Sequence, residues 1–249
     1  MAERLAVTFD FWETLVRDTP DGLARARAAR LVCLAGVLRR AGHPCPTPAV
    51  EEAYERCGAE MSSRFWTAHR DCSVEEQVRL FFECLDPGVL VRLEGALFEE
   101  AVAGYGEAIL RWPPRLLPGA AEAVRRLAER GVPLGIVSNT GRTPGRVLRR
   151  VLDLHGLRGC FGAMSFSDEV GARKPASAIF LATLRGLGAT AGAAWHVGDN
   201  PGADVAGARA TGMRAVHFAA DGNAPSAEAD LVVRDLSDLP GLLPLRGAS

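Results

Sequence analysis

Short apolar runs alternate with helix-like stretches over the second half of the chain, the pattern of βαβ units and a parallel sheet. Ala123, Val124, Leu127 and Ala128 keep helical spacing from Ala120, and Gly131 supplies a stop. A strand is predicted over residues 132–138. Pro144 opens a further predicted helix carrying Val147, Leu148, Val151 and Leu152, and residues 163–166 read as a strand. Pro175 is expected in the first turn of a helix that runs over residues 179–187. A strand at 193–197, a helix from about Ala203 closed by Gly212, and strands at 213–218 and 231–233 follow, before a short terminal helix. Far upstream, residues 5–9 form one more apolar run.

Residues 18–114 break this rhythm, because they carry helix patterns and no convincing strand. Val50, Tyr54, Cys57 and Met61 form one stripe, Val78, Phe81, Phe82 and Leu85 a second, and Leu97, Ala101 and Tyr105 a third. A stretch of that length is too long for a loop and must pack on itself. Turn-rich segments flank it, Asp18-Thr19-Pro20-Asp21-Gly22 and Trp112-Pro113-Pro114, and both read as hinged linkers. The expected architecture is an α/β core with a doubly wound parallel sheet, residues 1–17 and 115–249, and an inserted all-helical domain, residues 18–114.

Composition narrows the function classes. The 249 residues are 48% hydrophobic and 24% charged with a net charge of −1, which excludes disorder and offers no general field for nucleic acid. Arginine clusters such as Arg25, Arg27 and Arg30, or Arg146, Arg149 and Arg150, read as solvated helix faces. No apolar run approaches the ~18 residues of a membrane span, and the first four residues lead into a strand rather than a signal-peptide core. The expected location is the cytoplasm. The 6 cysteines form no C-x-x-C pair, so they are read as small apolar fillers rather than zinc ligands. Of the 29 basic residues, Lys174 is the one lysine; every other is arginine.

In an open parallel sheet, ligands bind beyond the carboxyl ends of the strands. Asp10 follows the first run, Ser138-Asn139-Thr140 follows the second, Arg173-Lys174-Pro175 precedes a helix, and Gly198-Asp199-Asn200 follows a later strand with Asp204 beyond it. A nucleophilic carboxylate, a hydroxyl with free amides, an ammonium and a carboxylate pair then converge on one crevice. Such a set suits a phosphoryl group together with a divalent cation.

In this order the segments resemble the four motifs of the haloacid dehalogenase superfamily, in its helical-cap subfamily I. Residues 10–15 look like the first motif, Ile136-Val137-Ser138-Asn139 the second, Gly171-Ala172-Arg173-Lys174-Pro175 the third, and residues 196–212 the fourth. The resemblance implies a Rossmann-like core, a helical cap, a small-molecule substrate and Mg²⁺ as cofactor. It implies Asp10 as a nucleophile that forms a covalent aspartyl intermediate. Ser138 would hold the transferred group by its hydroxyl and Asn139 by its backbone amide, with Thr14 also on the phosphate. Lys174 would neutralise the nucleophile and the group under attack. Asp10, Asp199 and the backbone carbonyl of Trp12 would hold the metal, and Asp204 would support the metal shell or orient Lys174.

One position departs from the family's phosphatases. They carry a second aspartate two residues after the nucleophile, where this chain has Trp12. A carbonyl survives the substitution but the side-chain general acid does not, and that acid is typically worth ~10²–10⁴ in rate. An acyl phosphate, whose leaving carboxylate needs little protonation, suffers least. Glu13 and His69 are the spare candidates for the missing acid. An aromatic residue here also resembles the metal-free L-2-haloacid dehalogenases, which makes dehalogenation the alternative. Retention of Gly198, Asp199 and Asp204 favours the magnesium-dependent phosphohydrolase. A catalytically impaired binding protein is the third reading. Trp66, Trp112 and Trp195 are expected to be packing residues, with Trp66 able to face the crevice, and His43, His155, His196 and His217 are assigned to no metal.

Overall fold

The computed structural model describes residues 5–93, 95–220 and 224–244, so the first four residues lie outside it. The apolar runs form a parallel sheet of 6 strands: β1 Ala6–Phe9, β4 Leu134–Ser138, β5 Ala163–Phe166, β6 Ala194–Gly198, β7 Arg214–Phe218 and β8 Leu231–Val233. Their order across the sheet is β5-β4-β1-β6-β7-β8. The chain steps outward from β1 through β4 to β5, then crosses to the other side of β1 for β6. That reversal makes the carboxyl end of β1 the switch point at which a doubly wound sheet opens a crevice.

Both faces of the sheet are covered. Side chains alternate along each strand, so Val7 and Phe9 join Leu134 and Ile136 in one core with α5 Ala120–Glu129 and α6 Gly145–Leu154. Ala6 and Val137 face the other way, onto Ile179, Phe180 and Leu184 of α8 Ser177–Leu187. Val124, Leu127, Leu148 and Leu152 are fully buried, and each such side chain contributes about 1.5–3 kcal/mol in apolar transfer. Pro175 does not enter the first turn of α8. The helix starts at Ser177 after Ala176, because Pro175 belongs to the loop that presents Lys174. A short helix absent from the sequence pattern, α7 Ser167–Val170, follows β5, and the segment after β6 begins with a π-helical turn, Pro201–Ala206, before α9 Gly207–Ala210.

Residues between β1 and β4 are mainly helical and hold their own apolar core. It is built on α1 Pro20–Arg40, α2 Thr47–Arg64, α3 Val74–Leu85 and α4 Ala96–Glu107. The predicted stripes are there: Val50, Tyr54, Cys57 and Met61 line α2, and Val78, Phe81 and Phe82 line α3. A capping box, Ser73 with Glu76, starts α3. The first flanking segment is not a turn but a helix start. Thr19 caps α1 by accepting from Gly22 N, and Pro20 supplies the preset φ that suits a first helical position. The two crossings are also tied together: Val16–Arg17 and Arg115–Leu116 pair as antiparallel β2 and β3.

Two expectations about charge and sulfur separate here. All 6 cysteines are free, and Cys57 is buried in the helical core as a filler. Arg30, by contrast, is not on a solvated face; it is buried beneath Tyr105 and Thr143, while Arg25 is exposed as expected. Among the described residues, no helix is long and apolar enough to cross a membrane.

Candidate active site

The carboxyl ends of β1, β4 and β6 bring the predicted residues together. Asp10 follows β1 directly, held by its backbone N–H donating to Val197 O at 2.8 Å. Lys174 Nζ lies 2.6 Å from Asp10 Oδ1 and 2.6 Å from Asp204 Oδ1, and the ammonium is buried. Asp199, at the end of β6, is half-buried, and the Thr14 hydroxyl donates to its Oδ1 at 3.4 Å. Carboxylate oxygens of Asp10, Asp199 and Asp204 lie within 4.8 Å of one another.

Local geometry explains the residue types. Gly198 is required because a Cβ there would stand 2.2 Å from Asp204 Cγ. Asn200 starts the following turn by accepting from Gly202 N and Ala203 N, and its own N–H donates to Asp204 Oδ2. Asn139 uses its side chain on the backbone of Lys174, donating to its carbonyl at 3.1 Å and accepting from its N–H at 2.7 Å. That bridge ties the loop after β4 to the lysine loop. Ser138 is fully buried at the end of β4.

Asp204 is the most heavily engaged of the carboxylates. Its Oδ1 also meets His196 Nε2 at 2.9 Å, and His196 Nδ1 meets the Thr8 hydroxyl at 2.8 Å. Burial holds the His196 ring below its ordinary pKa, so it stays neutral. The neutral tautomer that fits donates from Nε2 to Asp204 and accepts from Thr8 at Nδ1. The sequence places His196 at the start of the fourth motif but gives it no role, because nothing in a strand-like apolar run distinguishes a histidine that turns toward a carboxylate eight residues on.

Electrostatics divide the carboxylates. Burial opposes ionisation of Asp204, but Lys174 and His196 overcome it and hold the group well below the usual carboxylate range. For Asp10, burial dominates the pull of Lys174, and with Asp204 and Asp199 nearby its pKa rises to about 7. Burial and Asp204 push Asp199 up to about 6. Lys174 is held above its ordinary value by Asp10 and Asp204 despite burial, so it stays charged. Three clustered carboxylates therefore have one ammonium, paired with two of them, and the unbalanced charge shows as the raised pKa values of Asp10 and Asp199. A hard oxygen donor set with unbalanced negative charge fits Mg²⁺.

A cavity of about 810 Å³ opens beside this cluster, between the helices and the sheet. Trp12, Asn139, Trp66, Tyr54, Leu23 and Arg30 are among the residues that line it. Trp12 is half-buried and packs edge-on to Phe11. Neither spare acid is on the cavity wall. Glu13 is exposed and paired with Arg17, and His69 is exposed at the end of a short helical turn, where its carbonyl accepts from Arg173 N. Trp66 does face the crevice, whereas Trp195 is buried in the sheet core.

Residues 5–212 match the family model described as haloacid dehalogenase-like hydrolase. A ribulose-1,5-bisphosphate 5-phosphatase from Halopiger xanaduensis is 33% identical over 138 residues, 51% of this chain and 56% of that protein. The match thus spans about half the length of that curated relative. Among solved structures, a 2-haloacid dehalogenase from Pseudomonas syringae superposes with a TM-score of 0.68 at 29% identity, over 96% of this chain and 97% of that one. A phosphatase from Thermococcus onnurineus superposes with a TM-score of 0.62 at 28% identity, over 97% and 99%.

Proposed function

The chain belongs to the haloacid dehalogenase-like hydrolase family, and on that premise we propose a Mg²⁺-dependent phosphohydrolase of a small phosphorylated metabolite with Asp10 as nucleophile. The observation that carries this reading is a surplus of carboxylates: Asp10 and Asp204 pair with the Lys174 ammonium, and Asp199 lies within 4.8 Å of both with no cation of its own among the described residues. A metal-free dehalogenase gains nothing from burying that surplus, since uncompensated charge in a low-dielectric site is costly. Residues 18–114 serve as the cap and the remainder as the core, in a cytoplasmic enzyme.

Asp10 attacks phosphorus as the bond to the leaving oxygen breaks, giving an aspartyl phosphate on this side chain. Water then attacks that phosphorus, releasing phosphate and restoring the carboxylate. Asp10, Asp199 and the Trp12 carbonyl would hold Mg²⁺, which when bound would supply neutralisation of the negative charge that develops in the reaction. Lys174 lowers the repulsion between Asp10 and the phosphoryl group, and Asp204, with all its bonds directed at Lys174, His196 and Asn200, keeps that ammonium in place. Ser138, the Asn139 amide and Thr14 are assigned to the transferred group. With no side-chain acid at position 12, the leaving group departs as a stable anion, which favours acyl and activated aryl phosphates.

A second reading has its own observation: the dehalogenase superposition, together with an aromatic Trp12. One pair of assays separates the two. Phosphate release from acetyl phosphate or an activated aryl phosphate is expected to require Mg²⁺ and to vanish in Asp10→Asn. Chloride release from 2-chloropropionate without metal would establish the dehalogenase instead, and no turnover in either assay would leave a binding protein.

A further inference from the structure

Arg30 is 5% exposed, yet no carboxylate lies within 4.0 Å of its guanidinium among the described residues. Its Nε donates to Tyr105 O at 2.8 Å and its Nη2 to Thr143 Oγ1 at 3.0 Å, both neutral acceptors. Nη1 makes no hydrogen bond among those residues, and Arg30 lines the 810 Å³ cavity. A buried cation without an ionic partner is costly, which natural structures relieve by pairing.

The other charges along the wall show what is left to pair with it. Arg27 is bound to Glu55 at 2.8 Å and Arg173 to Asp71 at 2.6 Å. Arg142 is spent on the helices, donating to Tyr105 Oη and Tyr54 O while stacked 3.7 Å over the Tyr54 ring. Burial keeps the Tyr105 hydroxyl protonated, its pKa raised well above normal. Apart from these pairs, Asp18 is the remaining carboxylate among the residues lining the cavity, and burial raises its pKa against the pull of Arg30. One positive charge remains in excess. It matches a monoanion better than a phosphate dianion, and the surrounding wall of Leu23, Ile109, Trp12 and Trp66 is apolar.

We propose that the cavity binds a phosphorylated compound whose apolar body carries a carboxylate, and that Arg30 holds that carboxylate. This rests on the phosphohydrolase reading for the reacting end only. The test compares 4-carboxyphenyl phosphate with 4-carbamoylphenyl phosphate, which are closely matched in size, at saturating Mg²⁺. A charge-assisted hydrogen bond in a desolvated site predicts a kcat/KM ratio of about tenfold or more for the carboxylate in the wild type. The ratio is expected to fall to about one in Arg30→Gln and to be partly kept in Arg30→Lys, which also controls for folding. Calorimetric titration of 4-hydroxybenzoate, which needs no turnover, is expected to show about tenfold weaker binding to Arg30→Gln. Equal ratios in wild type and Arg30→Gln overturn the proposal, as does a stronger preference for 1,4-phenylene bisphosphate. If neither ester is hydrolysed but 4-hydroxybenzoate binding depends on Arg30, the carboxylate site stands and the phosphohydrolase reading falls. If neither ester is hydrolysed and binding is independent of Arg30, the site is refuted.

Discussion

His196 donates to the same oxygen of Asp204 that Lys174 reaches, Oδ1, at 2.9 Å against 2.6 Å. The imidazole is itself held from behind by Thr8 and lies edge-on to Phe180, with ring centroids 5.0 Å apart. Strand β6 thereby fixes the carboxylate that fixes the lysine. His196→Phe keeps a ring of similar shape but removes the donor. The expected result is a drop in kcat of about tenfold with a smaller change in KM, and a loss of about 1–3 kcal/mol from the Asp204 oxygen left short of a partner. Steady-state kinetics and chemical denaturation measure the two.

Lys174→Arg tests whether a point charge is needed where a planar fork does not fit. Lys174 is 4% exposed and its ammonium lies between two carboxylates, so the larger guanidinium overpacks the site at a cost of about 1–3 kcal/mol. Activity is expected to fall by about 10² or more, out of proportion to that stability change. Proportionate losses in kcat and in the denaturation midpoint would make the lysine structural.

Without metal, Asp10 and Asp199 keep their protons up to about 7 and about 6, above the ordinary 3.8. Between these values the folded chain binds more protons than the unfolded one. Their contribution to stability is therefore complete below about pH 4 and is lost as pH rises through about 6–7. The thermal midpoint in chelator is expected to fall between about pH 5.5 and pH 8, and Mg²⁺ is expected to reduce that fall by balancing the carboxylates. Asp199→Asn should remove part of it. A midpoint in chelator that rises over this range would contradict the assignment.

Trp12→Asp places a carboxylate two residues after Asp10. Hydrolysis of alkyl phosphates at saturating Mg²⁺ is expected to rise at least about tenfold, toward the ~10²–10⁴ that an acid–base group supplies. Acetyl phosphate, with its better leaving group, should respond far less. Equal responses would show that the missing acid is not what limits this site.

Asp71 joins the helices to the sheet. Its buried side chain accepts from Thr140 Oγ1, Ser167 Oγ, Arg173 Nη1 and Trp66 Nε1. Asp71→Asn leaves the Arg173 guanidinium without its ion-pair partner, and about 3 kcal/mol of stability is expected to go with it. Because Arg173 and Thr140 adjoin Lys174 and Asn139, KM should rise as well. Denaturation and kinetics on one preparation check both.

The amino-acid sequence by itself determined the order and type of most elements, since an apolar run or a three-to-four-residue stripe is a local signal. It also marked Asp10, Ser138, Lys174 and Asp199, because a parallel sheet delivers strand ends to one edge whatever its exact strand order. The start of α1 misled for a local reason: Thr-Pro-Asp-Gly serves a turn and a helix N-terminus equally well. What only the tertiary structure decided depends on contacts between distant residues. Arg30 meets Tyr105 and Thr143, and Asp71 meets Thr140, Ser167 and Arg173, across separations of 69 to 113 residues. No local spacing encodes such pairings. They arise when the helices close over the sheet, and burial then turns an arginine that reads as a surface charge into one that still needs an anion.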